Sequence, residues 1–150
     1  LKSRALVASA IFQERKIILA KPQPFMNLSG QSVQGLMHFY KLPLENLLIA
    51  HDDLDLPVGT IRLRPDGGSA GQKGMMSTIE RLGTDEIPRL RCGIGREDLP
   101  AGGGRRHFVL SSFEPEEFPA ARAMVARAAD AAETFAASGI DRAMTDYNTQ

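Results

Sequence analysis

The 150 residues contain one cysteine and no tryptophan, and only 6% are aromatic. The lone Cys92 excludes an internal disulfide framework and a zinc cage built on several thiolates. A reducing compartment is the default that follows. Net charge is missing too, since 18 basic side chains balance 18 acidic ones. No apolar run approaches the roughly 18 residues of a membrane helix, so a helical spanning protein is not expected. No signal peptide is visible. Internal repeats, low-complexity tracts and a convincing linker are also lacking, and residues 1–150 read as one domain. What is present is a 43% share of hydrophobic residues. At this length that buries a sizeable core, and it is too high for a disordered chain.

The neutral total hides local imbalance. Residues 1–21 carry five basic side chains against Glu14, a balance of +4, and residues 44–57 carry four acids and no base. Residues 58–106 return to +3, and residues 107–133 to −3. Nucleic-acid binding needs only a local basic patch, so the zero total does not argue against it. The chain opens on Leu1 rather than Met. It is therefore expected to be a fragment or a processed chain.

Apolar periodicity and breakers give a coarse map. Arg4–Phe12 and Ile17–Ala20 read as a β-hairpin around the polar Gln13–Lys16 turn. Phe25-Met26-Asn27 is a loop, and Ser29 is placed to cap a helix running to about Tyr40. Leu47–Ala50 is a continuous apolar run, as in a buried strand, ending in His51-Asp52-Asp53. Val58–Leu63 reads as a strand, Gly67–Gly74 as a glycine loop, Gln72–Leu82 as a helix and Leu90–Ile94 as a strand. Residues 96–106, with Gly102-Gly103-Gly104, read as a mobile loop. Ser111 with Glu114 fits a capping box before a long helix. Phe118, Ala121, Val125, Ala128, Ala132 and Phe135 are predicted to share one face of it. A short helix reaching Tyr147 would close the chain. The order ββαββαβαα predicts an α/β domain with a twisted mixed sheet flanked by helices.

Several features could carry chemistry. The glycine loop follows a strand and opens a helix, where exposed N–H groups suit an anion. It is neither a Walker A loop nor a dinucleotide fingerprint, because Gly74 follows Lys73 and the G-x-G-x-x-G spacing is absent. A flexible turn is an equally good reading. Asp52 lies at a strand end, where α/β sheets present their sites, and a carboxylate there can orient an imidazole from elsewhere. His51 reads as a packed, hydrogen-bonded residue, and His38 and His107 as structural. Asn27 can donate to and accept from a peptide-like ligand, or form an Asx turn. Arg62 and Arg64 share a strand face, as do Arg89 and Arg91. Neighbouring arginines could grip a phosphate, or could simply be solvated. Cys92, inside an apolar strand, reads as an inert thiol.

In combination these segments resemble bacterial-type peptidyl-tRNA hydrolase. The resemblance rests on Phe25-Met26-Asn27-Leu28-Ser29-Gly30, on Ala50-His51-Asp52-Asp53-Leu54-Asp55-Leu56-Pro57, on Gly67-Gly68-Ser69-Ala70-Gly71, and on Arg89-Leu90-Arg91-Cys92-Gly93-Ile94-Gly95. They stand in the family's order, and the similarity runs from about Ile11 to the C-terminus. It implies cleavage of the ester between a peptide and the 3′ ribose of tRNA, by a monomer without metal or organic cofactor. The partner implied is peptidyl-tRNA rather than a membrane. The setting implied is the cytoplasm, or a mitochondrion or chloroplast if the source is eukaryotic. Asp52 is implied to orient the catalytic histidine. Phe25, Met26 and Asn27 are implied to line the groove for the peptide and the 3′ end, and Arg64 with Arg91 to clamp the tRNA 5′ phosphate.

Two departures qualify these expectations. The family's first strand, with a G-N-P-G-like turn, and its histidine-bearing helix would lie before Leu1. The fold is therefore expected to lack them, and this chain alone to be inactive. In addition, Lys73 stands where a substrate-binding asparagine is expected. A lysine cannot accept a hydrogen bond, although it can hold a phosphate. A non-catalytic RNA-binding relative, such as an organellar splicing factor, is the alternative reading.

Overall fold

The computed structural model describes residues 2–23, 25–99 and 108–148. The predicted glycine run at 102–104 and His107 lie outside them. Strands β1 (Ala5–Phe12) and β2 (Arg15–Pro22) pair antiparallel, from Ala5 opposite Pro22 to Phe12 opposite Arg15. The two linking residues, Gln13 and Glu14, have φ of 49° and 66°. Positive φ at both positions matches the twist of a two-residue hairpin turn. A 3-10 turn at Met26–Leu28 leads into helix α1 (Ser29–Tyr40). Then come β3 (Ile49–Pro57), β4 (Ile61–Arg64), α2 (Lys73–Leu82) and β5 (Arg89–Gly95). Helices α3 (Phe118–Ser138) and α4 (Ile140–Tyr147) close the chain.

The domain is mixed α/β, as its sequence order predicts. Among the described residues, however, its strands form two sheets rather than one. The hairpin stands alone, and the second sheet has the order β3-β5-β4. There β3 runs parallel to β5 and β4 runs antiparallel to it. Ile61, Leu63 and Leu90 form one sheet face, packed on Met124, Ala131 and Phe135 of α3 and Ala143 of α4. Helices α1 and α2 pack on each other at Gly30, whose N–H donates to Ser77 Oγ at 2.9 Å. A Cβ at Gly30 would run into the Ser77 carbonyl, so only glycine permits this approach.

Local signals erred in instructive ways. β3 continues through His51-Asp52-Asp53 to Pro57, although aspartate is a poor strand former. Pairing with β5 overrides the propensity: Asp52 pairs with Cys92 and Asp53 with Gly93. A bulge follows, with Gly93 and Gly95 so close to the carbonyls of Leu54, Leu56 and Pro57 that neither could carry a Cβ. Val58 to Thr60 form a turn before β4, not part of a strand. The N-cap of α1 is Leu28, not Ser29, and Ser29 Oγ reaches Met26 Sδ at 3.6 Å. The capping box belongs to Glu114 and Glu117 rather than to Ser111 and Glu114. The buried face of α3 is Ala121, Met124, Ala131 and Phe135, while Val125 is 65% exposed. The long run of alanines around these positions left the face poorly defined by sequence.

Candidate active site and anion-binding face

Asp52 is half-buried in the middle of β3. Gln72 Nε2 donates to its Oδ1 at 3.2 Å, while Gln72 Oε1 accepts from Met75 N–H at 2.7 Å. One side chain thus caps α2 and holds the carboxylate. Sequence reasoning missed Gln72. The only signal was its place between a glycine loop and a helix, where an N-cap is due. Lys73 is the exposed first residue of α2, next to that cap. Met26 Sδ lies against Gly74, where an added Cβ would stand 2.6 Å from it. The 3-10 turn bearing Met26 and Asn27 therefore sits on the N-terminus of α2. Phe25, just before it, is 83% exposed. Asn27 lines a polar cleft of about 440 Å³ between α1 and α2, with Gln31, Ser77 and Arg81. Asp52, Lys73 and Met26 are thus brought to the N-terminal end of α2, while Asn27 faces the cleft further along the helix.

The arginines lie elsewhere. Arg91 pairs with His51 in register, whereas Asp52 pairs with Cys92. Strand alternation therefore turns Asp52 and Arg91 to opposite faces of the sheet. Arg62 stands opposite Arg91, and Arg64 opposite Arg89, so all four arginines share one face. They do different work. Arg89 is 2% exposed and donates to the carbonyls of Ile87, Gly68, Gly67 and Asp85 at 2.7 to 3.2 Å. Burial lowers its guanidinium's pKa, opposed by the nearby Asp66 and Asp85. It fastens the glycine loop and is spent on doing so. Arg62 donates to the Asn148 carbonyl at 3.0 Å. Arg91 Nε donates to Asp53 Oδ2 at 2.6 Å. Arg64 is exposed and has no ion pair among the described residues.

The remaining candidates are settled by their surroundings. His51 Nδ1 lies 2.8 Å from the Asp52 backbone carbonyl, and its buried Nε2 has no hydrogen-bond partner among the described residues. It packs, as expected, on the face opposite the Asp52 carboxylate. His38 is exposed on α1. Cys92 is pushed up to about 11, first by burial and then by the charge of Asp52. Its thiol is inert at neutral pH. Among the described residues no cluster of three or more histidines, cysteines or carboxylates could hold a metal. No helix among them is long and apolar enough to cross a membrane.

Fold and site together define a mixed α/β domain with a held carboxylate at a helix N-terminus and an arginine-rich sheet face. These are features suited to a substrate bearing phosphate. The chain belongs to the peptidyl-tRNA hydrolase family, whose model matches residues 1–150. It is 45% identical over 148 residues to the peptidyl-tRNA hydrolase of Alkaliphilus metalliredigens, covering 99% of this chain and 78% of that protein. It is 48% identical over 147 residues to that of Salinibacter ruber, covering 98% and 77%. A crystal structure of peptidyl-tRNA hydrolase from Acinetobacter baumannii superposes with a TM-score of 0.86 at 28% identity, covering 98% of this chain and 74% of that one.

Proposed function

We propose that the protein hydrolyses the ester joining a peptide to the 3′ ribose of tRNA, acting as a monomer without a cofactor. The observation that carries this is Asp52, held by Gln72 at the N-terminus of α2 beside the Phe25–Asn27 turn. Asp52 orients an imidazole, which takes a proton from water. The resulting hydroxide adds to the ester carbonyl carbon, and nearby amides bind the oxyanion. The carbon–oxygen bond to the ribose then breaks, and the imidazolium returns its proton to the 3′ oxygen. Phe25, Met26 and Asn27 contact the peptide and the 3′ end. Lys73 meets a backbone phosphate, which would offset its unfavourable place at a helix N-terminus. Arg64 and Arg91 hold the 5′ phosphate on the other sheet face, positioning the tRNA without reading its sequence. This chemistry belongs where translation occurs, in the cytoplasm or in an organelle.

Neither His51 nor His38 is bonded to the Asp52 carboxylate. We expect neither of these two to be the base, and the 150-residue chain alone to turn over slowly. The test is hydrolysis of N-acetyl-aminoacyl-tRNA by the intact protein, its Asp52→Asn variant and the isolated chain. Loss of turnover with Asp52→Asn supports the reading. Undiminished turnover in that variant refutes the role of Asp52, and undiminished turnover in the 150-residue chain refutes its expected slowness. The exposed lysine in place of an asparagine favours one alternative, a non-catalytic RNA-binding protein. That alternative predicts tRNA binding without turnover in the intact protein.

A further inference from the structure

The buried carboxylate of Asp53 has no part in that chemistry. Its side chain is 2% exposed, and both oxygens are engaged: Oδ2 by Arg91 Nε at 2.6 Å and Oδ1 by Asp55 N–H at 2.8 Å. Arg91 is held by Nε alone among the described residues, and 21% of its side chain reaches solvent. A guanidinium has a fixed fork of five N–H groups. With Nε tied down, its two terminal nitrogens remain for a ligand. Arg64 lies one pair further along the same face, roughly 7 Å away by the geometry of diagonal neighbours.

We propose that Asp53 is a positioning residue for phosphate recognition, aiming the terminal nitrogens of Arg91 at the phosphate that Arg64 binds. The inference rests on the phosphate-clamp reading given above. An arginine free in solvent loses rotamer entropy when it grips a ligand, and one already fixed by a buried partner loses little. The carboxylate engages Arg91, while Arg62 and Arg64 on the same face form no ion pair among the described residues. Uncoupling the pair would strand a buried charge, so the Nε bond persists while the ligand binds. A terminal phosphate monoester, with more charge and more free oxygens than a diester, makes the best use of two aimed arginines.

The experiment compares binding of one tRNA with a 5′ phosphate and with a 5′ hydroxyl, at fixed salt, in the intact protein. Wild type should prefer the phosphorylated form by roughly tenfold, the worth of one charge-assisted contact. Asp53→Asn should shrink that ratio several-fold while leaving the affinity for the 5′-hydroxyl form unchanged or higher. A carboxylate that acted only as a repulsive charge would, once removed, strengthen both forms and preserve the ratio. Arg91→Lys keeps the charge and a partner for Asp53 but loses the aimed fork. It should shrink the ratio too, and it decides the matter if Asp53→Asn does not fold. An unchanged ratio in either folded variant overturns the role of Asp53. No preference in wild type overturns the clamp itself.

Discussion

Asn148 seals the outer edge of β4. Its Oδ1 accepts from Leu63 N–H at 2.8 Å, and its Nδ2 donates to the Leu63 carbonyl at 2.9 Å. The side chain thus imitates a neighbouring strand, for a residue that is fully buried. Asn148→Ala leaves both backbone groups without partners. A buried group so stranded costs about 1–3 kcal/mol. Asn148 itself is half-buried, so water can reach part of the gap and the lower end applies, about 2–3 kcal/mol for the two bonds together. In a domain of this size each kcal/mol moves Tm by about 2–4 °C. The expected fall is therefore about 4–12 °C by calorimetry, matched by a lower midpoint in urea. Asp146→Ala is the control, because its pairing with Arg142 is an exposed i,i+4 contact. It should change stability by less than about 0.5 kcal/mol. If the two variants melt together, the amide does not close the strand edge.

Three other outcomes follow from the structure. Cys92 has a raised folded pKa, about 11 against an ordinary 9.0, so its contribution is intact below about pH 9 and lost as pH rises to about 11. The alkaline loss should reach at most about 2–3 kcal/mol and vanish in Cys92→Ala, as measured by urea unfolding across that range. Gly30→Ala should lower stability by about 1–3 kcal/mol, because the new methyl meets the Ser77 carbonyl and forces α1 from α2. A neutral result in a melt would show that the helices have room to part. Gln72→Ala removes a helix cap and the donor to Asp52, so the intact protein should lose about 1 kcal/mol of stability. Its kcat should fall by roughly tenfold with KM little changed, and unchanged kcat would mean Gln72 does not hold Asp52 for the reaction.

The strands and helices were legible because each carries its own period, and their order followed from breakers between them. Boundaries failed where a distant partner decides the local state. His51-Asp52-Asp53 has no strand propensity, and β5, some 40 residues later, makes it strand. The two-sheet arrangement was illegible for the same reason, since nothing within the hairpin states which neighbour it meets. In α3, alanines on every side blur the apolar face. The packing partners on β4 and β5 then select Met124 over Val125.

The site was legible as residue types and illegible as assignments. Alternation alone showed that the arginines pair up by face, yet not that they differ in role. Arg89 is consumed by carbonyls of Gly67 and Gly68, 22 and 21 residues away, a contact that no spacing rule reports. Gln72 was overlooked because its importance lies in reaching Asp52 across 20 residues. The sharpest case is Asp52-Asp53. In sequence they are one acidic pair at a supposed strand end. In the folded sheet the pleat sends them to opposite faces. Asp52 meets Gln72 at the head of α2, and Asp53 meets Arg91 on the arginine face. A shift of one residue in the pairing of β3 would exchange the two environments. The bulge after Asp53, and the two glycines that admit it, come directly after the pair and fix that register. The separation of the two carboxylates, one at the head of α2 and one on the arginine face, thus depends on strand register rather than on the identity of either aspartate.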